Sequence, residues 1–106
     1  MKIINFIVVF TLAIMLMGCE TDPETTYSVI YYGNGNTYGF PPEDRNSYLS
    51  EETAVVKGKN SLLKSGYTFI AWNTKQNGDG ETYHEGDIIT IHHINVFLYA
   101  IWEEEE

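Results

Sequence analysis

Gly66-Tyr67-Thr68-Phe69-Ile70-Ala71-Trp72-Asn73 and its echo Val96-Phe97-Leu98-Tyr99-Ala100-Ile101-Trp102 decide the fold. Both stretches are rich in β-branched and aromatic residues, and both close on a Trp. On extended backbone, residues two apart share a face. In the first stretch Tyr67, Phe69 and Ala71 take one face and Thr68, Ile70 and Trp72 the other. Apolar groups on both faces mark a central strand.

Working outward, Tyr27 to Tyr32 reads as a first strand, with Val29 and Tyr31 on one face and Ser28, Ile30 and Tyr32 on the other. Gly33-Asn34-Gly35-Asn36 ends it as a hairpin or loop turn, because Asn and Gly tolerate positive φ. No Lys-Ser or Lys-Thr follows, which argues against a phosphate cradle. Thr37 to Ser50 shows no sustained period and reads as a loop that packs Phe40 and Tyr48 onto the sheet, with room for a helical turn near Pro42. Thr53 to Lys57 is a short strand bounded by Gly58. Asn60 to Gly66 is a single turn that inserts Leu62 or Leu63 into the core and leaves through Gly66. Asn77-Gly78-Asp79-Gly80 is a turn, and Ile88 to Ile91 is a weak extended segment. The reading is a mainly β domain, α+β at most.

The core must be thin, since a domain of this size buries only about 60% of its unfolded surface. The only cysteine, Cys19, has no partner in the chain. Packing of aromatic residues therefore replaces disulfides.

The N-terminal run has Lys2, an apolar stretch from Ile3 to Met17, and then Gly18-Cys19. The stretch is shorter than the roughly 20 residues of a spanning helix and ends on a small residue, as a secretion signal does. Leu16-Met17-Gly18-Cys19 resembles the lipobox of bacterial lipoproteins, although Met17 is an uncommon middle residue. The resemblance implies cleavage between Gly18 and Cys19, with a diacylglyceryl group on the Cys19 sulfur and an acyl chain on its amine. Several chains, at about 0.8 kcal/mol per buried methylene, anchor stably. Residues 1–18 are then the signal, 19–26 a polar lipidated tether, 27–102 the domain and 103–106 an acidic tail.

The chain holds 15 acidic and 6 basic residues, a net charge of −9. Every carboxylate lies after Cys19, and Lys2 falls in the signal. Such a balance disfavours nucleic acid, and none is expected as a partner, because that affinity comes from Lys and Arg neutralising phosphates. It also repels anionic head groups, so membrane attachment has to be covalent. The Glu103 to Glu106 run reads as a solubilising tail that also discourages pairing if the last strand lies at an edge.

Chemistry-bearing clusters are sparse. His84, His92 and His93 sit among Glu81, Glu85 and Asp87, yet adjacent His92 and His93 point to opposite sides on extended backbone, so no metal site is read here. Asn77, Asp79 and Glu81 lack the spacing of a calcium loop. With Cys19 lipidated no free thiol remains, and no Ser sits in a strand-to-helix elbow. No catalytic or cofactor-binding residue is assigned.

Gly33-Asn34-Gly35, Gly66 to Thr74, Gly78-Asp79-Gly80 with Tyr83, Gly86-Asp87 and Leu98 to Trp102 together resemble the Listeria-Bacteroides repeat, also called the internalin B-repeat-like domain. The likeness spans Tyr27 to Trp102, with Ala71 where the family usually has Gly. It implies a small β-grasp-like domain with a mixed sheet of about four strands, found in bacterial surface proteins, usually in tandem and without catalytic residues. The expectation is a monomeric envelope lipoprotein, held at the cell membrane or outer membrane by the Cys19 lipid. Its partner is a protein or glycan met by exposed Tyr32, Tyr38 and Tyr48, since Tyr gives contact area at small entropic cost. The alternative is a structural spacer without a ligand.

Overall fold

In the computed structural model, residues 24–106 are described. The expected signal, most of the expected tether, and Gly18 and Cys19, the expected cleavage and lipid positions, lie outside them. The elements are β1 (Val29–Tyr32), β2 (Thr53–Val55), β3 (Tyr67–Asn73), β4 (Thr82–Tyr83), β5 (Ile88–Thr90) and β6 (Val96–Glu104). They form a four-stranded sheet in the order β1-β6-β3-β4 and a two-stranded ribbon of β2 and β5. The main sheet is mixed: β1 runs parallel to β6, while β3 is antiparallel to both β6 and β4. The domain is mainly β, and no helix occurs among the described residues.

The two Trp-ended stretches pair with each other at the centre of the sheet. Phe69 faces Trp102, and Trp72 faces Ala100. Between these pairs the register shifts at Ile70, so two β3 residues oppose one step of β6. The strict alternation expected from sequence is broken by this bulge, which puts Phe69 and Trp72 on one face with ring centroids 5.1 Å apart. That face is the core face: Trp72, Leu98, Ala100, Val29 and Tyr31 meet Ala54 and Ile89 of the ribbon and Val56 and Ile91 just after its strands, and Leu62 joins the same cluster. Each fully buried Leu or Ile is worth about 1.5–3 kcal/mol by area. The ribbon keeps a clean period of two, with Ala54 and Ile89 paired inward and Val55 and Ile88 paired outward.

Among the described residues, side-chain polar atoms drawn into this core are paired. Lys57 is the hinge, since its amide donates to the Tyr31 hydroxyl at 3.0 Å and its carbonyl accepts from Trp72 Nε1 at 2.9 Å. Asn73 is 1% exposed. Its Oδ1 accepts from the amides of Lys75 and Gly80, and its Nδ2 donates to the Gly80 carbonyl and to Thr82 Oγ1. One amide side chain thus folds the 74–80 loop onto the sheet.

Several expectations are corrected. Phe40 does not pack onto the sheet but is 76% exposed. Its amide is held by Ser61 Oγ and its carbonyl by Asn60 Nδ2, which draws the loop away from the core. No helical turn forms near Pro42. Gly33 to Asn36 is a turn with positive φ at Asn34 and Gly35, but a loop turn, because β1 pairs with β6 and not with the next strand. Leu62, not Leu63, enters the core. The last strand is interior and runs through Glu103 and Glu104, paired with Thr68 and Tyr67, so the acidic run guards no edge on β6. The edges are β1 and β4.

Candidate partner-binding surface

The ribbon covers only one face of the main sheet. On the opposite face the parallel register sets Ile30 beside Phe97 and Tyr32 beside Tyr99. Tyr32 and Tyr99 stack with centroids 5.0 Å apart and planes 16° off parallel, and Phe97 lies 6.2 Å from Tyr32. Such pairs add about 0.5–1.5 kcal/mol beyond burial. Tyr32 is 41% and Phe97 39% exposed. Toward β3 the same face is closed. There the 74–80 loop runs beside Ile101, whose Cδ1 a side chain at Gly78 would meet, and Ala71 and Asn73 are buried.

Asn34 sets the boundary between the open and closed halves. Its backbone has φ 54°, and its Nδ2 donates both to the Ala100 carbonyl at 2.8 Å and to the Gln76 carbonyl at 3.0 Å. The turn after β1 is thereby tied to β6 and to the loop beside Ile101. What remains open is an aromatic patch of Tyr32, Phe97 and Tyr99, rigid because all three rise from paired strands.

The three tyrosines read from sequence are placed apart. Tyr32 is on the patch. Tyr38, 64% exposed, stands on the loop that bridges to Leu63. Tyr48 is half-buried against the core, with its hydroxyl donating to Asp44 Oδ2 at 2.7 Å. No ring contact joins Tyr38 or Tyr48 to Tyr32 among the described residues. Phe97 and Tyr99 were missed, although the period of two along Val96 to Trp102 places them together, opposite the buried Leu98 and Ala100.

A groove of about 390 Å³ flanks the free edge of β1, between Val29 to Tyr31 and the Phe40 to Arg45 segment. A second depression of similar size lies beside Glu81, Tyr83 and Ile94. Burial and then Glu81 raise the Tyr83 pKa above its ordinary value. Adjacent His92 and His93 turn to different partners, Glu51 Oε2 and Ser50 Oγ, each at 3.2 Å. Among the described residues, no three His, Cys, Asp or Glu side chains converge closely enough to hold a metal ion. No helix among them is long and apolar enough to cross a membrane.

The Listeria-Bacteroides repeat domain family matches residues 27–101. A protein of Evansella cellulosilytica named as a Gly-rich membrane protein is 38% identical over 77 residues, which cover 73% of this chain and 9% of that protein. A second from the same organism, named as a membrane protein, is 39% identical over 77 residues, covering 72% of this chain and 11% of that protein. The chain thus matches about a tenth of the length of these relatives. No solved structure matches it.

Proposed function

The chain belongs to the Listeria-Bacteroides repeat family, and on that premise we propose that it is a membrane-anchored envelope lipoprotein carrying a non-catalytic interaction module. The anchor is the lipid on Cys19, with cleavage after Gly18. The mature chain stays at the bacterial cell membrane or outer membrane with its domain outside the cytoplasm. The membrane-protein names of the relatives support this location. The β-grasp-like likeness belongs to the same reading, with the ribbon and loops covering the sheet where a grasp fold sets a helix.

The observation that carries the binding role is the open patch of Tyr32, Phe97 and Tyr99 on strands paired in the sheet. Large rigid rings left half-exposed beside a buried core mark a contact surface. The partner is a protein or a glycan, and Tyr38 contributes if that partner reaches beyond the sheet. Tyr48 supports the edge of the surface by packing, with its hydroxyl already engaged by Asp44.

Binding of the full chain in neutral detergent to envelope extracts and to glycan arrays tests this role. The expected result is saturable binding that falls at least about tenfold in Tyr32→Ser and Phe97→Ser, whose folds persist because both side chains lie on the open face. Undiminished binding in both variants overturns the patch. Failure to find any saturable partner favours the spacer reading.

A further inference from the structure

We propose that the groove beside β1 receives an extended, Lys- or Arg-bearing segment of a partner protein, which pairs with β1 as an added strand. β1 has a strand neighbour on one side only. The Ser28 carbonyl accepts from the Val96 amide on the β6 side, whereas Tyr27 turns its amide and carbonyl the other way, to Tyr48 at 2.8 and 2.9 Å. Backbone groups alternate sides along a strand, so Val29 and Tyr31 aim theirs to the same side as Tyr27.

The chain therefore begins an antiparallel pairing on the outer edge of β1 at Tyr27 and Tyr48 and does not continue it. The Phe40 to Arg45 segment swings outward and leaves the groove alongside Val29 to Tyr31. Among the described residues, the outward amides and carbonyls of Val29 and Tyr31 have no hydrogen-bond partner. The side chains of Val29 and Tyr31 are buried in the core, and both residues line the groove. Strand-edge groups without a partner are costly to leave unmet, and extended backbone supplies the matching donors and acceptors. Apolar contact comes from Phe40, Pro41 and Pro42 on the far wall.

Charge selects the occupant. The far wall carries Glu43 and Asp44 against one cation, Arg45, which pairs with Glu43 at 2.9 Å, so the carboxylate of Asp44 leaves the wall net acidic. The whole chain has a net charge of −9, so a second copy brings like charge to the edge. A basic segment is attracted to it. This site uses β1's edge and not the aromatic face, so it stands or falls separately from the patch.

The test is NMR titration of the full chain in neutral detergent with a short capped peptide alternating Val and Lys. Two companion peptides are used, one with alternate backbone amides N-methylated and one with Glu in place of Lys. The expected result is saturable shifts and slowed exchange at the Val29 and Tyr31 amides. N-methylation and the Lys-to-Glu exchange should each weaken binding about tenfold or more. Glu43, with a side chain 70% exposed, can be reversed without disturbing the fold. Glu43→Lys should weaken the Lys peptide and strengthen the Glu peptide. Equal binding of the N-methylated peptide, shifts centred on Tyr32 and Phe97, dimer formation in place of peptide binding, or no saturation at millimolar peptide each overturns the proposal.

Discussion

Trp102 Nε1 donates to the Gly33 carbonyl at 2.9 Å, tying the end of the last strand to the turn that leaves the first. The same indole packs edge-on against Phe69, with centroids 5.8 Å apart. Trp102→Phe keeps a ring in the contact but leaves the carbonyl without its donor. Denaturant unfolding should show a loss of about 1–2 kcal/mol, with faster amide exchange near Gly33.

Asn73 makes its four bonds to the 74–82 segment from a fully buried position. Asn73→Ala strips the partners from the Lys75 and Gly80 amides together. The expected cost is about 2–4 kcal/mol. Loop closure beside Ile101 should fail first, read as rapid amide exchange from Thr74 to Gly80 before global unfolding.

Stability should decline in alkaline solution. Burial raises the Tyr31 pKa above its ordinary 10.0, partly opposed by the Lys57 amide, which favours the phenolate. Burial and the nearby Glu81 raise that of Tyr83. The unfolded chain releases these protons first, so their contribution is complete below the ordinary value and is lost as pH climbs through the raised ones. Thermal midpoints measured across this range should fall above about pH 10. Tyr83→Phe should make the fall shallower, and an unchanged slope contradicts the assignment.

The strands and their inward residues were legible in the sequence because period-two patterns are local. Val29 with Tyr31, Leu98 with Ala100, and Ile89 with Ile91 all face inward as an alternating reading places them. Pairing was less legible. Nothing in Tyr27 to Tyr32 says that its neighbour is the distant β6 and that the two run parallel. The bulge at Ile70 depends on that register too, and it alone makes Phe69 and Trp72 neighbours. β4 is two residues long and exists only because Asn73 and Trp72 offer it a ladder. Phe40 misled because its exposure is set by bonds from Asn60 and Ser61, remote in sequence. The aromatic patch was half legible: Tyr32 was singled out, whereas Phe97 and Tyr99 join it only through the strand register.

The most direct measurement is the intact mass of the wild-type chain extracted from membranes, set beside Cys19→Ser. The predicted wild-type species begins at Cys19, carries the mass of a diacylglyceryl group and an acyl chain, and partitions with membranes. The variant should lack that added mass and lose the lipid anchor while still folding, since Cys19 precedes every strand among the described residues. An unmodified Cys19 thiol on a wild-type protein found only in soluble fractions contradicts the account.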